Sequence, residues 1–449
     1  MTLLEVSDLT VKFYTPDGVV RAVDELSYQI DRGERFGVVG ESGAGKSVSA
    51  LSLLRLIENP GQIESGAIRF YDEETVSALE SDFSNHVVDL EDLRQTTDKR
   101  EIAESLTEEE VSAEELTGDP QYAGDDPTDV PTNAFEIQDI LELGYGDDVG
   151  LIGEHDFIVH DGDESYVELL RAPKKAIQRI RGNRIAMVFQ DAQTALNPVY
   201  SVGDQISEAI RHHMDLTDKE AKERTIELLD RVGIPDAETR YSDYPHEFSG
   251  GMQQRVVIAM ALSCDPDILV ADEPTTALDV MTEAKILGEL EELSDEFGTS
   301  IQLITHDLGV IAELCERVVV MYAGKPVEKA PVDDLFYDPK HPYTVGLMAS
   351  IPRIGTGVER LKTIPGTMPD LIEVPSGCSF HPRCPYAEES CTRKEPVLVD
   401  PETGEPTGPE DERGASCLEY TGDLTQSLSF DVRVENARGD NRISGDSSE

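Results

Sequence analysis

The stretch Gly40 to Ser47, GESGAGKS, constrains the fold of this 449-residue chain more than any other segment. It matches the phosphate-binding pattern G-x-x-x-x-G-K-[ST] at every fixed position. The residues before it, Phe36 to Val39, resemble a short buried strand, and Leu51, Leu54 and Ile57 after it recur at helical spacing. A strand, a glycine loop and a helix in this order direct backbone N–H groups and a helix N-terminus at one anion.

We therefore predict that the whole loop contacts the phosphates of a nucleotide. Lys46 can reach the β- and γ-phosphates, and the Ser47 hydroxyl can bind Mg²⁺. The predicted phosphate-binding residues are Gly40, Glu41, Ser42, Gly43, Ala44, Gly45, Lys46 and Ser47.

A second buried strand, Ile268 to Ala271, ends in the acidic pair Asp272 and Glu273. Beside a phosphate loop, this strand end suits nucleotide hydrolysis. Asp272 would hold Mg²⁺, directly or through water, and Glu273 would polarise the attacking water as general base. A helix is predicted from Tyr166 to Gly182, and strands and helices alternate after it. This alternation indicates a parallel α/β sheet.

Residues 1–35 alternate apolar and polar side chains around a turn at Asp17 and Gly18, which predicts antiparallel strands. Phe13 or the adjacent Tyr14 could stack on an adenine ring. Alternation puts these two side chains on opposite faces, so at most one can do so. We take Phe13 as the candidate, with packing into the core as an equal alternative.

The composition is strongly acidic, with 91 Asp and Glu against 38 Lys and Arg and a formal net charge of −53. A phosphate backbone would be repelled, so nucleic acid is not expected as a partner. An acidic surface suits a cytoplasm full of salt, where screening removes the self-repulsion, and we expect an extreme halophile.

The acidic excess is concentrated between Asp72 and Glu164, which contain 30 Asp and Glu against 3 Lys and Arg. We interpret residues 72–165 as a partly ordered surface insertion. A solvated elaboration suited to high salt is the favoured reading, and a partner-docking lobe is the alternative.

The segment SGGMQQR, Ser249 to Arg255, resembles the signature motif of ATP-binding cassette (ABC) ATPases. As in that family, it lies shortly before the strand that ends in Asp-Glu. The resemblance implies that it binds the γ-phosphate held by an opposing subunit, so that two chains sandwich two ATP molecules. The implied contact residues are Ser249, Gly250, Gly251 and Gln253.

Other elements of the family occur in the same order. The resemblance implies that Gln190 senses the γ-phosphate and Mg²⁺ and that His306 is the switch histidine that contacts the γ-phosphate. It also implies that a loop crossing the dimer interface contains Ala277, Leu278 and Asp279. One departure is Ala192, where peptide-transporter members usually have Pro.

The C-terminal third resembles the tail of oligopeptide/dipeptide importer ATPases. The similar segments are HPYTVGLMASIP at residues 341–352, IPGTMPDL at 364–371 and GCSFHPRCPYAEESC at 377–391. Four cysteines lie there, with the spacing C-x5-C-x6-C-x25-C: Cys378, Cys384, Cys391 and Cys417. A cytosolic location argues against disulfides, and the close pairs of zinc sites are missing. The resemblance points to a structural 4Fe–4S cluster, with zinc or four free thiols as alternatives.

These features predict the ATPase subunit of an ABC importer for peptides or related solutes, using ATP and Mg²⁺. The expected fold class is an α/β P-loop NTPase with an antiparallel β subdomain, a helical subdomain and a cysteine-containing C-terminal extension. The expected domains are a core at 1–71 and 166–335, a helical subdomain at about 195–255, an extension at 336–420 and a disordered tail at 421–449.

The resemblance also implies partners. They are two transmembrane permease subunits, a second ABC ATPase subunit of the same or a different chain, and an extracellular solute-binding protein. No secretory signal or long apolar run is evident, so we expect a peripheral protein on the cytoplasmic face of the membrane. The rival is a soluble ABC ATPase of DNA repair or translation, which predicts basic surfaces and either a coiled-coil insertion or a tandem second cassette.

Overall fold

The computed structural model describes residues 1–109, 111–118, 120–153, 155–190, 195–275, 280–349, 364–425, 428 and 430. The strands are β1 (Thr2–Thr15), β2 (Gly18–Asp31), β3 (Arg35–Val39), β4 (Gly61–Phe70), β5 (Val87–Asp89), β6 (Ile158–Asp161), β7 (Glu164–Glu168), β8 (Ile185–Val188), β9 (Ile268–Asp272), β10 (Ser300–Thr305), β11 (Arg317–Tyr322), β12 (Lys325–Pro331) and β13 (Gly414–Ala415). The α-helices are α1 (Lys46–Leu53), α2 (Glu73–Asp82), α3 (Leu90–Thr96), α4 (Lys99–Glu108), α5 (Ala113–Thr117), α6 (Ile137–Glu142), α7 (Lys174–Ile180), α8 (Val202–His213), α9 (Asp218–Arg231), α10 (Ala237–Arg240), α11 (Gly250–Ala261), α12 (Val280–Phe297), α13 (Leu308–Leu314), α14 (Val332–Tyr337) and α15 (Pro342–Ala349).

A seven-stranded sheet with the order β13-β12-β11-β3-β10-β9-β8 forms the centre of the fold. Strand β3 lies between β11 and β10 and is parallel to both, and β9 and β8 continue the parallel arrangement. Parallel strands end at the same edge of a sheet, which is where α/β proteins bind ligands. The parallel α/β prediction is confirmed, and this edge carries the phosphate loop.

A six-stranded sheet with the order β2-β1-β4-β7-β6-β5 packs beside the first one. The strands predicted in residues 1–35 are its members β1 and β2, which pair antiparallel. Tyr28 of β2 stacks on Phe36 of β3 with ring centroids 5.0 Å apart, and its hydroxyl accepts a hydrogen bond of 3.0 Å from Gln302. The two sheets therefore share buried contacts at the start of β3, the strand that leads into the phosphate loop.

The helix predicted from Tyr166 to Gly182 is wrong in its first part. Tyr166 lies in β7, which pairs antiparallel with β4 and β6, and the helix begins only at Lys174. The pairing also buries Glu168, whose Oε1 accepts the backbone N–H of Ile68 at 2.9 Å. Cross-strand contacts therefore decide the structure of this segment, as is common for short strands.

The acidic segment is ordered over its described residues. Helices α4 to α6 surround a hydrophobic core of their own, in which Leu106 and Ile140 are fully buried, whereas α2 packs into the core of the two sheets through Val76 and Leu79. Several acidic residues have a structural use, since Asp72, Asp89 and Asp98 cap the N-termini of α2, α3 and α4. Carboxylates are favourable there because they accept unpaired N–H groups and face the positive end of the helix dipole.

The helices α8, α9 and α11 pack together where the sequence predicted a helical subdomain. The C-terminal extension contributes α15 and the short strand β13, which pairs with β12 at the edge of the central sheet. The predicted disordered tail lies mostly outside the described residues. Within the described part of the chain, no helix combines the length and the apolar character needed to span a membrane.

Candidate nucleotide-binding site

The phosphate loop joins the end of β3 to the start of α1 in a tightly packed turn. Gly43 and Gly45 have φ values of 86° and 101°, which favour glycine. A Cβ at Gly40 would lie 2.3 Å from the carbonyl oxygen of Met321, and one at Gly45 would lie 2.1 Å from that of Ala22. The glycines of the motif are therefore required both by backbone conformation and by the close approach of neighbouring carbonyl groups.

Lys46 lies along the inside of this loop and is 5% exposed. Its ammonium group donates hydrogen bonds to the carbonyl oxygens of Gly40, at 2.7 Å, and of Glu41, at 3.0 Å. Burial lowers the pKa of Lys46, and the nearby carboxylates of Glu273, Asp272 and Glu41 act in the opposite direction. A buried cation thus lies among loop carbonyl groups at the N-terminus of α1.

Ser47 and Asp272 meet across the sheet edge. The Ser47 hydroxyl donates a hydrogen bond of 3.1 Å to Asp272 Oδ1, from the end of β9. Burial raises the pKa of Asp272, the Ser47 hydrogen bond lowers it, and the carboxylate of Glu273 raises it further. A hydroxyl and a carboxylate at this distance provide the hard oxygen ligands that Mg²⁺ prefers, so the residues present fit that ion.

Glu273 follows Asp272 with a φ of 45°, which is rare for a residue other than glycine. Its backbone N–H donates to the Ile304 carbonyl at 2.8 Å, which fixes this conformation beside β10. Such strained backbone is commonly found at active sites. The conformation lets the side chain turn toward the carboxyl edge of the sheet instead of continuing the strand.

Gln190 and His306 hold the Glu273 carboxylate from two sides. Gln190 Nε2 donates to Glu273 Oε2 at 2.9 Å, and His306 Nδ1 lies 3.2 Å from Oε1. The Glu273 side chain is 14% exposed, whereas that of His306 is 64% exposed. Residues at the ends of four strands therefore form one group around the phosphate loop, although they lie far apart in the sequence.

The two aromatic candidates for adenine stacking differ in their surroundings. Phe13 is half-buried, and its ring edge packs closely against Gly61 of the neighbouring strand β4. Tyr14 is exposed, and its hydroxyl donates to Glu64 at 2.9 Å. Adenine stacking by Phe13 stays a prediction.

The signature residues lie on a different element, the N-terminus of α11. Ser249 is the N-cap residue, and its hydroxyl accepts the backbone N–H of Met252 at 3.4 Å. Gly250 follows at the surface, and Gln253 donates to the carbonyl of Pro245 at 2.7 Å. The predicted interface loop, Ala277 to Asp279, lies outside the described residues, as does Ala192.

The four cysteines of the extension are free thiols, and they lie near enough to affect one another's pKa values. Burial raises the pKa of Cys417 to about 12, a backbone hydrogen bond from Glu419 acts in the opposite direction, and the nearby sulfurs of the other three cysteines favour the uncharged thiol. Among the described residues, no group of three or more His, Cys, Asp or Glu side chains has the arrangement of a metal site.

Two residues at the phosphate loop were not foreseen from the sequence. Tyr343 and Arg383, both in the C-terminal extension, bind Glu41 of the loop. The sequence gives no local signal for these contacts, because each joins residues about three hundred positions apart. Tyr343 does belong to the HPY segment that carries the resemblance to peptide importers.

The fold and this group of residues define a phosphate-loop nucleotide hydrolase. A model of the ABC transporter family matches residues 23–140 and 160–276 of the chain. A second model, the C-terminal region of oligopeptide/dipeptide transporters, matches residues 327–391. The chain belongs to the ABC transporter family, as one of its ATP-hydrolysing subunits.

Two curated relatives agree with this assignment over most of the chain. The dipeptide transport ATP-binding protein DppD of Haemophilus influenzae is 39% identical over 398 residues, which cover 89% of this chain and 92% of that protein. A protein of Brucella abortus named "Putative peptide import ATP-binding protein" is 38% identical, with 88% and 91% covered. Among solved structures, one match is the dimeric ATP-binding cassette MJ0796 bound to ADP and phosphate. It is 19% identical with a TM-score of 0.46, and the match covers 73% of this chain and 98% of that one.

Proposed function

We propose that this chain energises the uptake of peptides, or of related solutes, through an ABC importer. The match of residues 327–391 to the oligopeptide/dipeptide transporter region and the names of the curated relatives support this substrate class. The observation that carries the ATPase chemistry is the Glu273 carboxylate held between Gln190 and His306 beside the phosphate loop.

Each residue of the group has a proposed role. Bound Mg·ATP supplies the phosphoryl group that water attacks. Lys46 and the loop N–H groups bind its phosphates, and Ser47, Asp272 and Gln190 hold the metal ion. Glu273 accepts the proton of the attacking water, while Gln190 and His306 orient its two oxygens. His306, which is largely exposed, also contacts the γ-phosphate.

The remaining roles concern a second ATPase subunit. Ser249, Gly250, Gly251 and Gln253 would bind ATP held by the opposing subunit, and Ala277, Leu278 and Asp279 would cross the interface. Ser249 and Gly250 are exposed at the start of α11, which leaves them accessible to a partner. Closure of the dimer would then pass through the segment after Gln190 to two permease subunits in the membrane.

The location follows from these partners. The chain would lie on the cytoplasmic face of the membrane, and an extracellular solute-binding protein would deliver the solute to the permeases. Its negative charge of −53 is unsuited to nucleic acid, so the alternative of a soluble ATPase in DNA repair has no support here. The curated relatives are named as transport or import proteins.

We also propose that Cys378, Cys384, Cys391 and Cys417 hold a 4Fe–4S cluster with a structural role. Three of the sulfurs accept backbone hydrogen bonds from residues two positions later, namely Phe380, Tyr386 and Glu419. Hydrogen bonds of this kind stabilise thiolates, and four Cys ligands are the usual set for such a cluster. Anaerobically purified protein should be brown and contain iron, and a colourless preparation without iron would exclude the cluster.

The acidic surface supports a further proposal, that the source is an extreme halophile. At 1 M salt the screening length falls to about 3 Å, which removes most repulsion between surface carboxylates. The chain should therefore unfold at a higher temperature in molar salt than in dilute buffer. Equal unfolding midpoints in the two conditions would contradict a halophilic origin.

The transport proposal is tested in cells that carry Glu273→Gln in the chromosomal gene. Uptake of a labelled dipeptide should be lost while the protein remains present at its normal level. Labelled oligopeptide, metal chelate and sugar, measured in the same cells, identify the solute class. Dipeptide and oligopeptide uptake at the wild-type rate, together with abolished ATPase activity, would refute the peptide assignment.

A further inference from the structure

The C-terminal extension reaches the phosphate loop through one arginine. Arg383 binds Glu41 with two nitrogens, as Nη1 lies 3.1 Å from Oε2 and Nη2 lies 3.1 Å from Oε1. The Arg383 side chain is 6% exposed and that of Glu41 is 30% exposed. A two-point contact between a guanidinium group and a carboxylate fixes both charge and orientation.

The backbone of Glu41 is held by the same extension. Its N–H donates to the hydroxyl oxygen of Tyr343 at 2.9 Å, and its carbonyl accepts from Lys46 at 3.0 Å. The side chain, N–H and carbonyl of Glu41 are thus all engaged. Lys46 is linked through this one residue to Arg383 and Tyr343.

A buried aromatic cluster supports these two residues. Phe380 packs against Tyr322 and Tyr343 with ring centroids 5.1 and 5.4 Å apart, and all three are buried. Arg383 is further anchored by donating from Nε to the carbonyl of Pro365 at 2.9 Å. Because this surround is packed, Arg383 has little freedom to leave Glu41.

The position of Glu41 creates an electrostatic problem for nucleotide binding. Its carboxylate belongs to the loop that receives several negative charges from a nucleoside triphosphate. Two like charges at short range in a partly buried site repel each other strongly. A compensating cation is therefore needed beside the Glu41 carboxylate, since Lys46 donates to the carbonyl oxygens of Gly40 and Glu41 on the inside of the loop.

We propose that Arg383 is a positioning residue for the phosphate loop, which neutralises Glu41 and so permits tight binding of ATP. The proposal rests on the proposed nucleotide site and adds to it a contribution from the C-terminal extension. Tyr343 assists by fixing the backbone of Glu41. The extension is thereby part of the nucleotide-binding machinery of its own chain.

The test compares nucleotide affinity in purified full-length variants, using a fluorescent ATP analogue. Arg383→Ala should weaken ATP binding on the order of tenfold, because an unpaired carboxylate remains beside the phosphates. ADP carries less charge and should lose less affinity than ATP. The KM for ATP should rise more than kcat falls, and Arg383→Lys should retain part of the wild-type affinity.

A second substitution distinguishes an uncompensated charge at Glu41 from a loss of folding. Glu41→Gln in the Arg383→Ala background should restore most of the affinity, because it removes the unpaired charge. Tyr343→Phe, which deletes only the hydroxyl, should raise the KM by a smaller factor. The matched control is Arg413→Ala, since Arg413 pairs with Asp334 and Asp338 elsewhere in the extension.

Each outcome decides the proposal. Wild-type affinity in Arg383→Ala, or equal losses for ATP and ADP, would overturn it while leaving the ATPase assignment intact. Failure of Glu41→Gln to restore binding in a double variant that unfolds at the wild-type temperature would also overturn it. A wild-type chain that binds no ATP would refute the proposed function as well.

Discussion

Replacement of Glu273 by Gln tests the centre of the proposed chemistry with little change in structure. In the variant, the side-chain oxygen can still accept from Gln190, and the new amide can donate to Nδ1 of His306 in the tautomer that has its ring proton on Nε2. Both contacts seen at 2.9 and 3.2 Å are therefore preserved. The variant loses the negative charge of Glu273 and with it the ability to take a proton from water.

The size of the effect follows from what a general base contributes. Such a group typically accelerates a reaction about 10²–10⁴-fold. At 1.36 kcal/mol per tenfold change, this range corresponds to roughly 3–5 kcal/mol of barrier. Turnover should fall by at least about 100-fold, whereas affinity for ATP and the unfolding temperature should stay close to those of the wild type.

The assay measures phosphate release at saturating Mg·ATP, with nucleotide binding and thermal unfolding measured on the same preparations. Glu316→Gln is the matched control, because Glu316 pairs with Arg35 at 2.7 Å at the opposite end of β3 from the loop. It should retain wild-type turnover. Turnover of Glu273→Gln within tenfold of wild type would refute the assignment of the base.

Three further predictions follow from the same contacts. Gly45→Ala should abolish nucleotide binding, because its Cβ would lie 2.1 Å from a carbonyl oxygen. The control is Gly288→Ala in α12, where a Cβ meets open space, and this variant should bind nucleotide normally. Equal binding by the two variants would contradict the prediction. Ser47→Ala should raise the Mg²⁺ concentration needed for half-maximal ATPase activity. Ser47→Thr should leave it unchanged, because Thr keeps the hydroxyl. An unchanged Mg²⁺ dependence in Ser47→Ala would show that the hydroxyl does not bind the ion. Burial raises the pKa of Glu168 from 4.5 to about 7, against the opposing effects of Arg69 and the Ile68 N–H. The folded chain then binds the proton more tightly than the unfolded chain, so this residue's contribution to stability declines as the pH rises from 4.5 to 7. Glu168→Gln should flatten that part of the profile of thermal midpoint against pH, and an unaltered slope would refute the assignment.

The residues predicted from the sequence were those with a local signature. The phosphate loop is fixed by eight consecutive residues, and the strand ending in Asp272 and Glu273 is recognisable from its apolar run. Because parallel strands end at one edge, their side chains could be expected to converge before any coordinates were known. Ser47 and Asp272 do meet at 3.1 Å.

The features that escaped prediction depend on contacts between distant residues. Tyr166 lies in a strand because β4 and β6 flank it, which no periodicity in its own segment indicates. Arg383 and Glu41 are 342 positions apart, and a single charged pair leaves no pattern in a sequence with so many carboxylates. The core of the acidic segment was difficult to predict because its apolar residues are spread among many charged ones.

The way in which the acidic segment joins the rest of the chain has a consequence for its length. The chain leaves β4 and returns in β7 at paired positions, since Phe70 lies opposite Val167. The rings of Tyr71 and Tyr166 pack in a tilted arrangement with centroids 5.1 Å apart. A short turn could connect these two ends directly. A change in the length of the segment between them would therefore leave the pairing of β4 with β7 in place.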